Sequence, residues 1–417
     1  MIHYDSRTDV FHLSNELVSY GFFLYRGLYP VHLYWGDRLS SIIPEHLYTP
    51  LIRSFSAYMG KDDFEFSLDF LPREFACFGH PDLRIPALEV LYPDGSSISN
   101  LTYKGHKILE GKPELQGLPA TYVEKKEEAS TLCLILRDDV WGLQVELLYT
   151  IYAKRRVITR SARYINRGKE PFYLKRALSM SIDFKESDFD GIHLPGSWGR
   201  ERMIERSSLS QGLQVVESRR GASSHQHNPF FALADKDATE DYGRVFGFSL
   251  VYSGNFAACT EVDQYSNTRF TMGINPLDFS WRLSPGETFQ TPEVVMVYSP
   301  EGLGDMSRTF HTLYRQRLCR GTYRDKERPV LLNNWEATYF DFDESSLLEI
   351  AEQASKVGVE LFVLDDGWFG RRNDDGSSLG DWYVNQDKLP GGLAKLADSV
   401  KEKGLRFGLW FEPEMVS

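Results

Sequence analysis

The hydrophobic period of this chain changes once, near residue 328, and that change limits its architecture more than any other feature. Up to about residue 298 the texture is β. Segments 132–136, 145–152, 157–162, 245–252 and 293–298 are short, β-branched or aromatic, and broken by Gly, Asn, Asp or Pro at turn positions. The run V-I-T-R-S-A-R-Y at 157–164 partly alternates, as half-buried antiparallel strands do. Helical spacing first appears at 303–318, where Met306, Phe310, Leu313 or Tyr314, and Leu318 share a face. Residues 1–300 are therefore expected to form a large β-sandwich, with a linking helix and connector over 301–328.

Beyond Arg328, strands are expected at 330–334, 360–365 and 406–411, and helices at 344–356 and 391–403. Asp343 is an N-cap, and Gly358 and Gly404 end the two helices. Strand, helix, strand, helix, strand with short links is the pattern of parallel βα units. Residues 329–417 are expected to be the first three βα units of a (β/α)8 barrel. Eight strands and their helices typically take about 250 residues, so the barrel is expected to be incomplete in this chain and the chain to be a fragment.

The chemistry-bearing residues gather at the ends of those strands. L-F-V-L-D-D-G-W (361–368) is an apolar run that ends in two carboxylates, a glycine and a tryptophan. R-F-G-L-W-F-E-P-E (406–414) repeats the form. A barrel places its reacting groups at the C-terminal ends of its strands. An isolated D-D-G is ordinary turn chemistry; behind a buried strand and ahead of Trp368, it points to function.

Asp365 and Asp366 are neighbours on a strand and point to opposite faces, whereas carboxylates that hydrolyse a glycosidic bond flank it at roughly 5–10 Å. Both are therefore assigned to binding sugar hydroxyls. Asp366 with Glu412, on consecutive strands, stays open as an acid–base pair; the bland alternative is that Glu412 and Glu414 are solvated strand-end groups. Trp335 and Trp410, at or beside strand ends, are placed to stack on the apolar face of a pyranose, whereas Trp368 and Trp382 read as packing residues.

Other classes are excluded. A formal charge of -12 argues against a nucleic-acid or anionic-membrane partner. The N-terminus lacks a basic stretch followed by an apolar one, and no segment nears the roughly 18 apolar residues of a spanning helix. Cys77, Cys133, Cys259 and Cys319 lack metal-ligand spacing and read as reduced thiols, so a cytoplasmic location is expected. His225 and His227 have no third ligand nearby and are read as hydrogen-bonding side chains. No metal or cofactor is expected, and there is no P-loop, H-E-x-x-H or G-x-S-x-G.

At this level of detail the chain resembles the α-galactosidases of glycoside hydrolase family 36, of the bacterial type that acts on melibiose and raffinose. The resemblance runs the whole length: F-H-L-S-N-E-L-V-S-Y (11–20), H-L-Y-W-G (32–36), G-H-P-D-L-R-I-P-A (79–87), S-S-H-Q-H-N-P-F (223–230), L-V-Y-S-G-N-F (250–256) and S-P-G-E-T-F-Q-T-P-E (284–293). It continues through N-N-W-E-A-T-Y-F-D-F (333–342), L-D-D-G-W-F-G (364–370), L-G-D-W (379–382) and G-L-W-F-E-P-E-M-V (408–416).

The resemblance implies an N-terminal β-supersandwich, a (β/α)8 catalytic barrel and retaining hydrolysis without metal or nucleotide. It implies that Asp365 and Asp366 bind galactose hydroxyls, that Trp410 lines the pocket and that Trp335 shapes its mouth. The family's nucleophile lies in a Lys-Trp-Asp motif, absent from these 417 residues, and its acid/base lies further on. Both catalytic roles thus pass to later strands, away from Asp366 and Glu412, and no catalytic residue is assigned within this chain. The expected substrates are α-galactoside oligosaccharides. Alternatives are an α-N-acetylgalactosaminidase, or a non-catalytic carbohydrate-binding or oligomerisation module. The resemblance also implies a homo-oligomer, a dimer or tetramer, in which sandwich loops of one subunit approach a neighbour's active site; the loop near residues 53–61 is one candidate for this, not assigned to it.

Overall fold

The computed structural model describes residues 1–49, 51, 57–59 and 66–417. Of the loop named as a candidate to approach a neighbouring subunit, only residues 57–59 are among them, so that candidate lies outside the described residues. The chain divides into two compact units, Met1–Cys319 and Arg320–Ser417.

The first unit is built of antiparallel sheets. Residues Ile2–Asp5, Val10–Ser14, Val18–Tyr25 and Tyr29–Asp37 form a four-stranded meander. A six-stranded and a ten-stranded sheet follow, and the long strand Phe172–Phe184 pairs with three others in the six-stranded one. One core joins all three sheets: Tyr20, Phe22, Leu134, Tyr149, Met180, Phe248, Phe270 and Met296 are each shut off from solvent. The expected strands at 132–136, 145–152, 157–162 and 293–298 fall within observed ones, and that at 245–252 ends one residue earlier, as Val245–Val251.

Two polar clusters are sealed in this unit. Asp82 and Asp183 share Arg269, at 2.7 Å each, and Arg84 joins Asp82 at 3.0 Å. Glu74 accepts hydrogen bonds from Tyr20 and Tyr149 and is paired with His32 at 2.7 Å. Charges this deep persist only with partners, so each cluster fixes how its strands assemble more than it adds net stability.

The helix expected at 303–318 runs Gly302–Arg317 and belongs to the first unit instead of linking two. Met306, Phe310 and Leu313 form its buried stripe and pack with Ile192, Val295 and Val297. Gly247 permits the close approach: a Cβ there would lie 2.7 Å from both Met306 Sδ and Phe310 Cε2.

In the second unit, Leu331–Asn333, Leu361–Leu364 and Arg406–Leu409 form a parallel three-stranded sheet, with Leu332 opposite Phe362 and Phe362 opposite Phe407. Helices Glu344–Lys356 and Gly392–Glu402 fill the connections. Leu347, Ala351 and Ala354, spaced for one helical face, pack with Leu396, Val400, Phe362 and Leu364. Asp343 caps the first helix as expected and makes a reciprocal box with Ser346. Gly358 and Gly404 follow the two helices with φ of +87° and +85°, the left-handed ends that glycine supplies at little cost.

Candidate functional site at the ends of the parallel strands

The strand register sets the geometry. Asn333, Val363 and Gly408 lie abreast, so all three strands end at one level, and the residues just beyond them become neighbours. Trp335, Asp365, Asp366 and Trp410 occupy those positions.

Asp365 is tied to the first strand. Its main-chain N–H donates to Asn334 Oδ1 at 2.8 Å, and Asn333 Nδ2 donates to its Oδ2. Asn333 Oδ1 in turn accepts the Trp335 N–H at 2.7 Å, so one asparagine couples Trp335 to Asp365. Trp335 opens a short helix, Trp335–Thr338, that the strand pattern did not announce, and its half-buried ring meets Tyr339 and Phe340 edge-on at 5.1 and 5.0 Å. On the other side, Trp410 N–H donates to Leu364 C=O at 2.9 Å, and Trp410 C=O accepts Trp368 Nε1–H at 3.1 Å. Trp368 is 2% exposed and Trp382 packs against Phe369 and Phe411, as expected of packing residues.

Asp366 lies in the turn beyond Leu361–Leu364, so the strand alternation expected of this pair does not apply, and its surroundings differ from those of its neighbour. It is 6% exposed, and its Oδ1 accepts both the Gly367 N–H and Arg372 Nε–H, each at 2.6 Å. Its Oδ2 has no hydrogen-bond partner among the described residues. The hydrogen bond to Asp366 raises the Arg372 guanidinium above its ordinary value. Gly367, at φ +91°, takes a conformation that favours glycine, and a Cβ there would crowd its neighbours, at 3.1 Å from Phe340 and 3.3 Å from both Lys388 Nζ and Phe342.

Glu412 lies within electrostatic reach of this pair. Burial, then Glu414, push its carboxyl above the ordinary value, with Asp366 adding to the rise and Arg372 opposing it. Arg372 and Lys388 are the functional candidates that sequence reading missed. Both sit in the irregular stretch between the second strand and the second helix, where no periodicity marks them.

The four expected residues thus occupy adjoining strand ends, with Asp365 bonded to both flanking asparagines and Asp366 held by Arg372 and Gly367. His225 and His227 lie elsewhere, in the first unit. His225 borders a cavity of about 800 Å³ together with Phe230, Met306 and Tyr314, and the His227 ring is 6.0 Å from that of His193. Among the described residues no group of three or more His, Cys, Asp or Glu is placed to hold a metal ion, and no helix is long and apolar enough to cross a membrane.

Comparison with known proteins places this arrangement among the glycoside hydrolases. The family model described as "Glycosyl hydrolase family 36 N-terminal domain" matches residues 28–284, and that described as "Melibiase" matches 288–417. The chain belongs to glycosyl hydrolase family 36. It is 56% identical over 414 residues to alpha-galactosidase AgaA of Geobacillus stearothermophilus, a match covering 99% of this chain and 57% of that protein. The crystal structure of the family 36 alpha-galactosidase AgaB from the same organism superposes with a TM-score of 0.96 at 56% identity, covering all of this chain and 57% of that one. An AgaA variant solved in complex with raffinose superposes at 0.95 with 57% identity, over 98% of this chain and 57% of its own. This chain therefore spans a little over half the length of the relatives it matches.

Proposed function

We propose that this chain is part of an α-galactosidase that removes terminal α-linked galactose from melibiose- and raffinose-type oligosaccharides. The reading is carried by one observation: Asp366 is 6% exposed, with one carboxylate oxygen fixed by two donors and the other without a hydrogen-bond partner among the described residues, just beyond the C-terminal end of a parallel strand. An oxygen held that way accepts a sugar hydroxyl without first losing another partner or reorganising. Asp365 takes a second hydroxyl, Trp410 offers its ring to the pyranose, and Trp335 shapes the entrance. The raffinose bound to a relative supports the substrate class.

The first unit is read as the family's β-supersandwich, and the parallel sheet as the first three βα units of a (β/α)8 barrel. Both edge strands of that sheet, Leu331–Asn333 and Arg406–Leu409, pair on one side only, an arrangement that barrel closure resolves. The reaction is retaining hydrolysis through a glycosyl-enzyme ester, with nucleophile and acid/base supplied by later strands. This chain's residues bind and orient the galactose, and the protein works in the cytoplasm as a homo-oligomer.

The test is hydrolysis of an aryl α-galactoside by the purified 417-residue chain and by the longer protein that contains it. The longer protein should turn over, the 417-residue chain should not, and Asp366→Asn should lower kcat/KM of the longer protein by roughly 10²-fold or more, as loss of a charged hydrogen bond to substrate predicts. Turnover by residues 1–417 alone, or an Asp366→Asn variant of unchanged kcat/KM, would overturn the assignment.

A further inference from the structure

Among the described residues Lys388 has no carboxylate in contact, yet its ammonium is fully engaged. Its Nζ donates to three main-chain carbonyls, those of Phe340 at 2.8 Å and of Gly367 and Arg372 at 3.1 Å each. The carbonyls come from three places: the loop after the first strand, the turn directly behind Asp366, and the loop that carries Arg372. The Phe342 ring lies 4.6 Å from the nitrogen. An ammonium has three hydrogens, so these three acceptors use all of them.

We propose that Lys388 is a positioning residue for the sugar-binding carboxylate, acting as a three-way clip that fixes the Asp366–Gly367 turn and the Arg372 loop against each other. The proposal rests on the reading of Asp366 as a galactose ligand and adds the group that sets its geometry. The two donors to Asp366 Oδ1 are Gly367 N–H and Arg372 Nε–H, and the carbonyls of those same two residues are clamped by Lys388. One ammonium therefore holds the main chain of both residues that donate to the carboxylate. Phe340, the third arm, stands edge-on to Trp335, which extends the clip to the proposed pocket mouth.

The geometry also says why a lysine stands here. A planar guanidinium spreads its donors in a fork and cannot converge three N–H groups from one atom, whereas a tetrahedral ammonium does so naturally. Burial lowers the Lys388 pKa, with Asp366 and Asp341 opposing, a cost consistent with a lysine kept for its bonds.

The experiment compares wild type, Lys388→Met and Lys388→Arg by hydrogen exchange of the 417-residue chain and by steady-state kinetics of the longer protein. In both variants the Gly367 amide should exchange at least about tenfold faster, while Leu347 in the first helix of the second unit stays within about twofold. KM for an aryl α-galactoside should rise about tenfold, with a smaller change in kcat, since a misplaced ligand weakens binding first. Restoration by arginine of wild-type exchange and KM would overturn the clip, because charge alone would then suffice. Unchanged Gly367 exchange in Lys388→Met would do the same. Should methionine unfold the second unit, the arginine variant, which keeps charge and an apolar stem, carries the comparison. A wild-type protein that hydrolyses no α-galactoside would defeat the functional reading alone and leave the exchange data to decide the clip.

Discussion

Replacing Arg372 by methionine removes the charge partner of Asp366 while keeping most of the side-chain volume. The pair is tight and sequestered: Nε and Oδ1 are 2.6 Å apart, with the side chains 4% and 8% exposed. Breaking such a pair from one side typically costs about 3–5 kcal/mol, because the remaining charge stays buried without compensation. The substitution also removes the bond from Arg372 Nη1 to the Ser377 carbonyl, at 2.8 Å, and the guanidinium's place over the Phe340 ring, which add about 0.5–1 kcal/mol each. Asp366→Asn leaves the guanidinium stranded in the same way. The double variant has neither charge, so it should be less unstable than the two single losses summed, by a coupling of about 2–3 kcal/mol. Hydrogen exchange of second-unit amides such as that of Leu347 in the 417-residue chain, followed across a urea series, reads this unit, whereas circular dichroism would sum its four tryptophans with the four of the first unit. A coupling under about 0.5 kcal/mol would refute the claim that this ion pair holds the carboxylate.

Two further outcomes test the first unit. Burial pushes Asp82 up, but Arg269 and Arg84 outweigh it and hold the carboxyl well below its ordinary 3.8. A depressed carboxyl contributes stability that is present above its unfolded value and drains away as pH falls towards its folded one. Asp82→Asn should thus cost about 3–5 kcal/mol at neutral pH, with the gap to wild type narrowing by about 1.4 kcal/mol per pH unit below 3.8; a gap that stays constant through acid denaturation would contradict this. Gly247→Ala should destabilise by about 1–3 kcal/mol through the clash with Met306 and Phe310, and Met306→Ala in the same chain should relieve part of it; additivity in thermal unfolding would count against the clash.

Much of this protein was legible without coordinates, for a physical reason. A strand or helix buries a regular subset of its residues, so 361–364 and 344–356 announce themselves by period, and Asp343 and Gly358 by cap and terminator chemistry. Parallel strands joined by helices present their C-terminal ends at one edge of the sheet, which already puts 333–335, 365–366 and 410 at that edge. What does not repeat was not legible. The short helix at Trp335–Thr338 interrupts no pattern, and the helix Gly302–Arg317 reads as a link until Gly247 is seen opening the sheet beneath it.

Period, caps and motifs in the chain alone determined the antiparallel β region, the parallel βα region that follows it and the family. Only the tertiary structure decided that Asp366 is held by Arg372, and that Lys388, 21 residues beyond Gly367, grips that turn. Those partners lie in irregular loops, and their contacts arise from where packed elements deliver the loops in space, which no local spacing encodes.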